Sequence, residues 1–269
     1  MNSIELFARA GLCLQETDLE AKLSMSETLV KESGNGFSTK NVPKLENVIA
    51  GRPLKPRLVS PSSLPRRGFS NPQSRLAMIH AIAHIEFNAI NLAWDAIYRF
   101  RDMPIQYYRD WIKVAGEETR HFRLLRAYLN KHKLDYGDLD AHDGLWRMAE
   151  QTDFDVLARM AIVPRVLEAK GLDVTPAMIS RFEEYEEQEV ADILRIIYRE
   201  EIGHVKIGNT WFKYLCEKRK LEADRVFVKL IKQFKLQKFT SKINREGRIA
   251  AGFRAEELDA LEQEFLAGT

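Results

Sequence analysis

The chain is short of the residues that build disulfide-stapled, fibrous or low-complexity proteins. It has two cysteines, Cys13 and Cys216, far apart and in no CxxC pair. That excludes a disulfide framework or a cysteine knuckle and points to a reducing, cytoplasmic setting. Glycine (14) and proline (9) are few for 269 residues, which excludes collagen-like and linker-like chains. No uninterrupted apolar run of about 18 residues occurs, so no membrane association is expected. The opening MNSIELFARAGLCLQETD has acids close behind a short apolar patch and no basic n-region, so no secretory signal is expected. Nowhere does apolar–polar alternation persist long enough to specify a strand.

What remains is a charged, helix-forming composition, 45% hydrophobic and 30% charged with a formal net charge of +2. It predicts an all-α fold, and the length is enough for a substantial core. Residues 4–32 read as one or two short helices. Residues 33–73 hold six of the nine prolines together with SGNG and SPSSLPRRG. They predict a long extended strap, with Leu54, Leu58, Val59 and Leu64 packed inwards and Arg57, Arg66 and Arg67 outside. From Asn71 helical periodicity takes over. It predicts helices over about 71–100 and 104–131, and a third that opens at Thr152 or Asp153, kinks at Pro164 and stops at Gly171. A short helix follows from Thr175-Pro176, then a long one over about 190–220 and further helices at 221–236 and 254–267. The domain reading is 1–70 as N-terminal helices and strap, 71–220 as a four-helix bundle, and 221–269 as a helical extension.

The charge is unevenly spread. Residues 40–75 carry eight Lys/Arg, Lys44 among them, against Glu46 alone; residues 213–248 carry twelve, Lys238 among them, against four acids. Solvated helix faces account for most of this, and an anionic partner such as RNA is the alternative.

The chemistry lies in a repeated motif. Glu118-Thr-Arg-His121 and Glu201-Ile-Gly-His204 each place a carboxylate and an imidazole one helical turn apart on nearly one face. With 25 Glu and 6 His in the chain, chance supplies roughly half an occurrence of Glu-x-x-His, so one copy means little. The surroundings strengthen it. Glu86 precedes Glu118 by 32 residues, Glu168 precedes Glu201 by 33, and both lie in apolar stretches, AIAHIEFNAI and AIVPRVLEAK. A carboxylate on a core face is costly unless paired, hydrogen-bonded or bound to a cation. One Glu from each of two helices, with Glu-x-x-His from each of two others, is the ligand set of a di-iron carboxylate bundle. A pseudo-two-fold relation then gives Glu86 and His121 to one iron and Glu168 and His204 to the other, with Glu118 and Glu201 bridging. Manganese or a mixed pair fits the same hard donors.

The sequence resembles the ferritin-like superfamily, and within it a bacterial branch of ferritin-like domain proteins of unknown function. The resemblance rests on RPLKPRLV, LPRRG, HAIAHIEFNAI, EETRHF, VPRVLEAKGLDVTP, EEIGHVKIGNTWF and NREGRIAAGF, which run from about residue 50 to 253. It implies the same six ligands and leaves the reaction open. The leading expectation is an oxygen-dependent oxidoreductase, a hydroxylase or oxidase. It would use molecular oxygen, an external electron donor and a small or carrier-bound substrate. Alternatives are iron handling (storage, ferroxidase activity or peroxide detoxification), an RNA-modifying hydroxylase and a purely structural role. A homo-oligomer is compatible with each. Arg165 and Tyr198, three residues before Glu168 and Glu201, are candidates to support those ligands. His80, His84, His132 and His142 read as packing, hydrogen-bonding or surface histidines.

Overall fold

The computed structural model describes residues 4–40, 49–64, 67–236 and 242–265, and in them the chain is all-α. Arg66 of the expected strap, and Lys44 and Lys238 of the basic stretches, lie outside the described residues. Extended pairing is slight: β1 (Ile4–Glu5) runs parallel to β2 (Phe37–Ser38), and Leu58 bridges Ala141. Two compact units divide the chain, Met1–Trp146 and Arg147–Thr269.

The first unit holds α1 (Leu6–Gln15), α2 (Leu19–Ser33), α3 (Pro72–Arg99) and α4 (Ile105–Lys131). Asn71 caps α3 by accepting the Ser74 N–H at 2.8 Å, and Pro72 sits in the first turn, where its missing donor costs nothing. The broadest packing is α3 along α4, with α1 against α3 and α2 against α4. Phe87, Phe122 and Trp94 fill the interior. Several buried polar groups there are paired: the Trp94 indole N–H donates to Ser26 Oγ at 3.0 Å. Lys22, almost wholly buried, donates to the Cys13 and Leu14 carbonyls that end α1 and to Asn91 Oδ1.

Residues 51–59 are fastened to the loop after α4. Ala141 N–H donates to the Arg57 carbonyl at 3.0 Å, Val59 N–H to the Ala141 carbonyl at 2.8 Å, and Arg52 pairs with Asp143. The expected inward leucine row fails at Leu54, which is fully exposed, while Leu58, Val59 and Leu64 are partly buried. Backbone pairing and charge hold this segment, so it had no need of that contact.

The unit boundary falls inside α5 (Gly144–Gln151). The second unit continues with α6 (Val156–Ile162), a π-helical turn (Val163–Glu168), α7 (Ala169–Glu184), α8 (Gln188–Lys218), α9 (Ala223–Gln233), α10 (Arg245–Ala250) and α11 (Ala255–Phe265). Here three expectations are corrected. Asp155 caps α6 through the Leu157 N–H, whereas the Thr152 hydroxyl turns back to the Met148 and Ala149 carbonyls and closes α5. Where a kink is expected at Pro164 the chain forms a π turn, against which Gly208 of α8 leaves room: a Cβ there would collide with the Pro164 ring. Gly171 does not stop the helix, and α7 runs through Pro176. Proline at 176 deprives the Leu172 carbonyl of its helical donor, and the Asn244 side-chain amide supplies one at 3.0 Å. The defect is repaired from outside the helix, so the helix survives.

Among the described residues, α3 is long and apolar enough by length and composition to cross a bilayer. However, 72% of its apolar window is buried in the fold, as in the core helix of a globular protein.

Candidate metal centre

In the first unit α3 and α4 bring three of the expected ligands together. Glu86 on α3 is 4% exposed, and Glu118 and His121 on α4 are wholly buried. His121 Nδ1 lies 3.1 Å from Glu86 Oε2 and 3.3 Å from Glu118 Oε2. One donor atom from each of the three lies within 4.8 Å of the others. Burial pushes the Glu86 carboxyl well above the usual carboxylate range, and the neighbouring Glu118 charge adds to that. Burial opposes charge on His121 as well, but the hydrogen bonds and charges of Glu118 and Glu86 outweigh it and raise its pKa to about 11. The trio therefore draws positive charge to one point. Two carboxylates and an imidazole in a dry site are hard donors suited to iron or manganese, and this cluster can hold a metal ion.

The second unit repeats the motif on α8. His204, wholly buried, places Nδ1 3.3 Å from Glu201 Oε1, the same separation as between His121 and Glu118. Glu168 closes the π turn, which packs against α8, and is partly buried. Such turns inside helices recur at functional sites, and this one re-aims the residues after Pro164 relative to a continuous α-helix. The sequence signal for it was Pro164, four residues before Glu168.

The two candidate supporting residues are occupied elsewhere. Arg165 is 1% exposed, donates to Asn209 Oδ1 at 2.5 Å, pairs with Glu257 and lies over the Phe212 and Phe227 rings. Tyr198 Oη accepts from Asn244 Nδ2 at 2.9 Å. Asn244 was missed by the sequence reading. It also caps α10 through the Gly247 N–H, and its backbone N–H donates to Asp173. His80 and His84 prove to be hydrogen-bonded packing residues: Gly137 N–H donates to His80 Nε2 at 2.9 Å, and His84 Nδ1 meets Tyr136 Oη at 2.9 Å. Burial lowers both pKa values to about 4. Glu117, next to a ligand position, pairs with Lys113 along α4.

A family profile described as "Protein of unknown function (DUF455)" matches residues 15–259. A protein of Haemophilus influenzae, described as uncharacterized, is 45% identical over 218 residues, covering 78% of this chain and 76% of the relative. No solved structure matches the chain significantly.

Proposed function

The chain belongs to the DUF455 family, of unknown function, and from its donor set we propose that it is a ferritin-like di-iron carboxylate protein that acts as an oxygen-dependent oxidoreductase. One observation carries the reading: Glu-x-x-His occurs once in each unit, with its carboxylate and Nδ1 at the same 3.3 Å separation and its imidazole wholly buried. Two copies of one half-site are what a two-fold centre needs. In this reading Glu86 and His121 would hold one iron and Glu168 and His204 the other, with Glu118 and Glu201 shared between them. Six protein donors for two ions leave positions for small molecules, and iron bound there would supply oxygen activation. The chain's own contribution is to hold the carboxylates in a water-poor setting and keep each imidazole turned towards them.

The RNA-directed alternative gains no specific support. Five of the twelve cations of the basic 213–248 stretch are met by acids within the chain: Arg219 by Asp155, Arg225 by Glu222, Lys232 by Glu264, Arg245 by Asp259 and Glu262, and Arg248 by Asp173. On α9, Phe227 and Ile231 are buried while Lys229 and Lys232 face out, as an ordinary amphipathic helix does.

The test is anaerobic reduction followed by oxygen uptake. The reduced, iron-loaded protein is expected to consume oxygen in proportion to its bound iron and then stop until reductant returns. Glu118→Ala or Glu201→Ala should abolish this. Uptake of hundreds of irons per chain would decide for storage, and a redox-silent site would overturn both readings.

A further inference from the structure

Arg67 of the LPRRG segment is not among the residues gathered at the candidate metal centre, yet it is half-buried in the first unit. It makes no hydrogen bond or ion pair with any described residue. Arginine does not lose its charge, so a desolvated guanidinium is normally matched by an anion. Here burial lowers its pKa with no carboxylate offsetting it, and its charge in turn depresses His80 and His142.

Arg67 faces a small cavity of about 30 Å³ that it shares with Ala81, His84 and Asn88 of α3 and with Ala141 and His142. A second unused donor lies on a residue that lines the same cavity. The Gly144 N–H donates to His142 Nδ1 at 3.1 Å, which puts the neutral ring's proton on Nε2, and that N–H engages no described residue. The other polar groups of the cavity are already bound. His84 meets Tyr136 Oη and the His142 carbonyl, and the Asn88 amide donates to the His84 carbonyl. His84 and Asn88 lie about 200° round α3 from Glu86 at 100° per residue, so this is not the face that carries the metal ligand.

We propose that the cavity between Arg67 and His142 is a binding site for the carboxylate of a small monocarboxylic acid. The volume holds about two waters, the scale of a flat two-oxygen head, and is tight for a tetrahedral phosphate. A planar guanidinium fork matches a carboxylate's two oxygens, and the His142 N–H adds a third donor. Arg67 also borders a wider hollow of about 300 Å³ lined by Ala77, Leu139, Asp138 and Asp140, which gives the rest of the ligand room. Asp140 is held there by Arg57, and Asp138 accepts the Asp135 N–H. These two carboxylates repel a second anionic group, and so select against dicarboxylates.

The probes are acetate and butyrate, added to the full chain after metal has been stripped with a chelator. Melting temperature is compared with chloride and phosphate at matched ionic strength. Both carboxylates are expected to raise the melting temperature saturably above chloride. Arg67→Gln should weaken the apparent affinity about tenfold or more. Arg9→Gln, which breaks the partly exposed ion pair with Glu32, should leave it unchanged. Broadening of the carbon-13 acetate resonance by the wild-type protein reads binding directly, should the Arg67 variant fail to fold. Absence of broadening, an equal response from Arg67→Gln, or phosphate stabilising as well as butyrate would overturn the assignment.

Discussion

Replacing Glu118 by glutamine separates a metal ligand from one half of a structural ion pair, because the two roles predict stability losses of different size. Without metal, His121 sits between two buried carboxylates that repel each other. Glu118→Gln removes one of the two charges and leaves His121 paired with Glu86. The expected loss is one hydrogen bond, about 1 kcal/mol, offset in part by relieved repulsion. If Glu118 were instead the required partner of a buried ion pair, its loss would cost about 3–5 kcal/mol. Metal reverses the comparison. A ligand at about 100 times its dissociation constant stabilises by about 2.7 kcal/mol, or roughly 5–10 °C in melting temperature for a protein of this size. Wild-type protein should show that increment with ferrous or manganous ion, and Glu118→Gln should lose most of it. Calorimetric melts of metal-stripped and anaerobically loaded protein give all four values. A metal-free variant weakened by several kcal/mol, or a wild-type protein whose melting ignores metal, would refute the reasoning.

Metal analysis should give about two ions per chain, with His121→Ala and His204→Ala each losing about one; metal retained after loss of both histidines would refute the shared centre. In the second unit, Arg248 and Asp173 form a two-bonded pair with both side chains 1% exposed. Asp173→Asn should therefore cost about 3–5 kcal/mol by urea unfolding, and Asp173→Leu with Arg248→Met should recover much of it. His80 accepts the Gly137 N–H only when unprotonated, and its pKa falls from 6.5 to about 4 on folding. The unfolded chain thus binds the proton first, so the stability His80 contributes is complete above about pH 6.5 and lost as pH falls towards 4. His80→Gln should flatten that part of the pH–stability curve, and an unchanged curve would show that the buried histidine is not its source.

The all-α class, the positions of α3, α4 and α8, and the ligand candidates were legible in the sequence, because each depends on local periodicity. Apolar residues recurring on one helical face, Asn71-Pro72 as a start signal and Glu and His three apart are short-range patterns. Spacing alone puts Glu118 and His121 on the same side of α4. Their meeting with Glu86 is a tertiary fact, made when α3 and α4 pack and remove three polar groups from water together. The misread stretches were those where a distant residue settles a local conflict. Gly171 and Pro176 both argue for a helix end, and only Asn244, about 70 residues later in the chain, supplies the donor that Pro176 removed. Arg165 seemed placed to support Glu168 on an ideal helix, but the π turn changes the register and Asn209 and Glu257 claim its guanidinium. The sequence by itself determined which backbone segments are helical and which side chains share a face. The tertiary structure alone decided which buried polar groups found partners, because hydrogen bonds and ion pairs depend on ångström-scale distances between segments far apart in the chain.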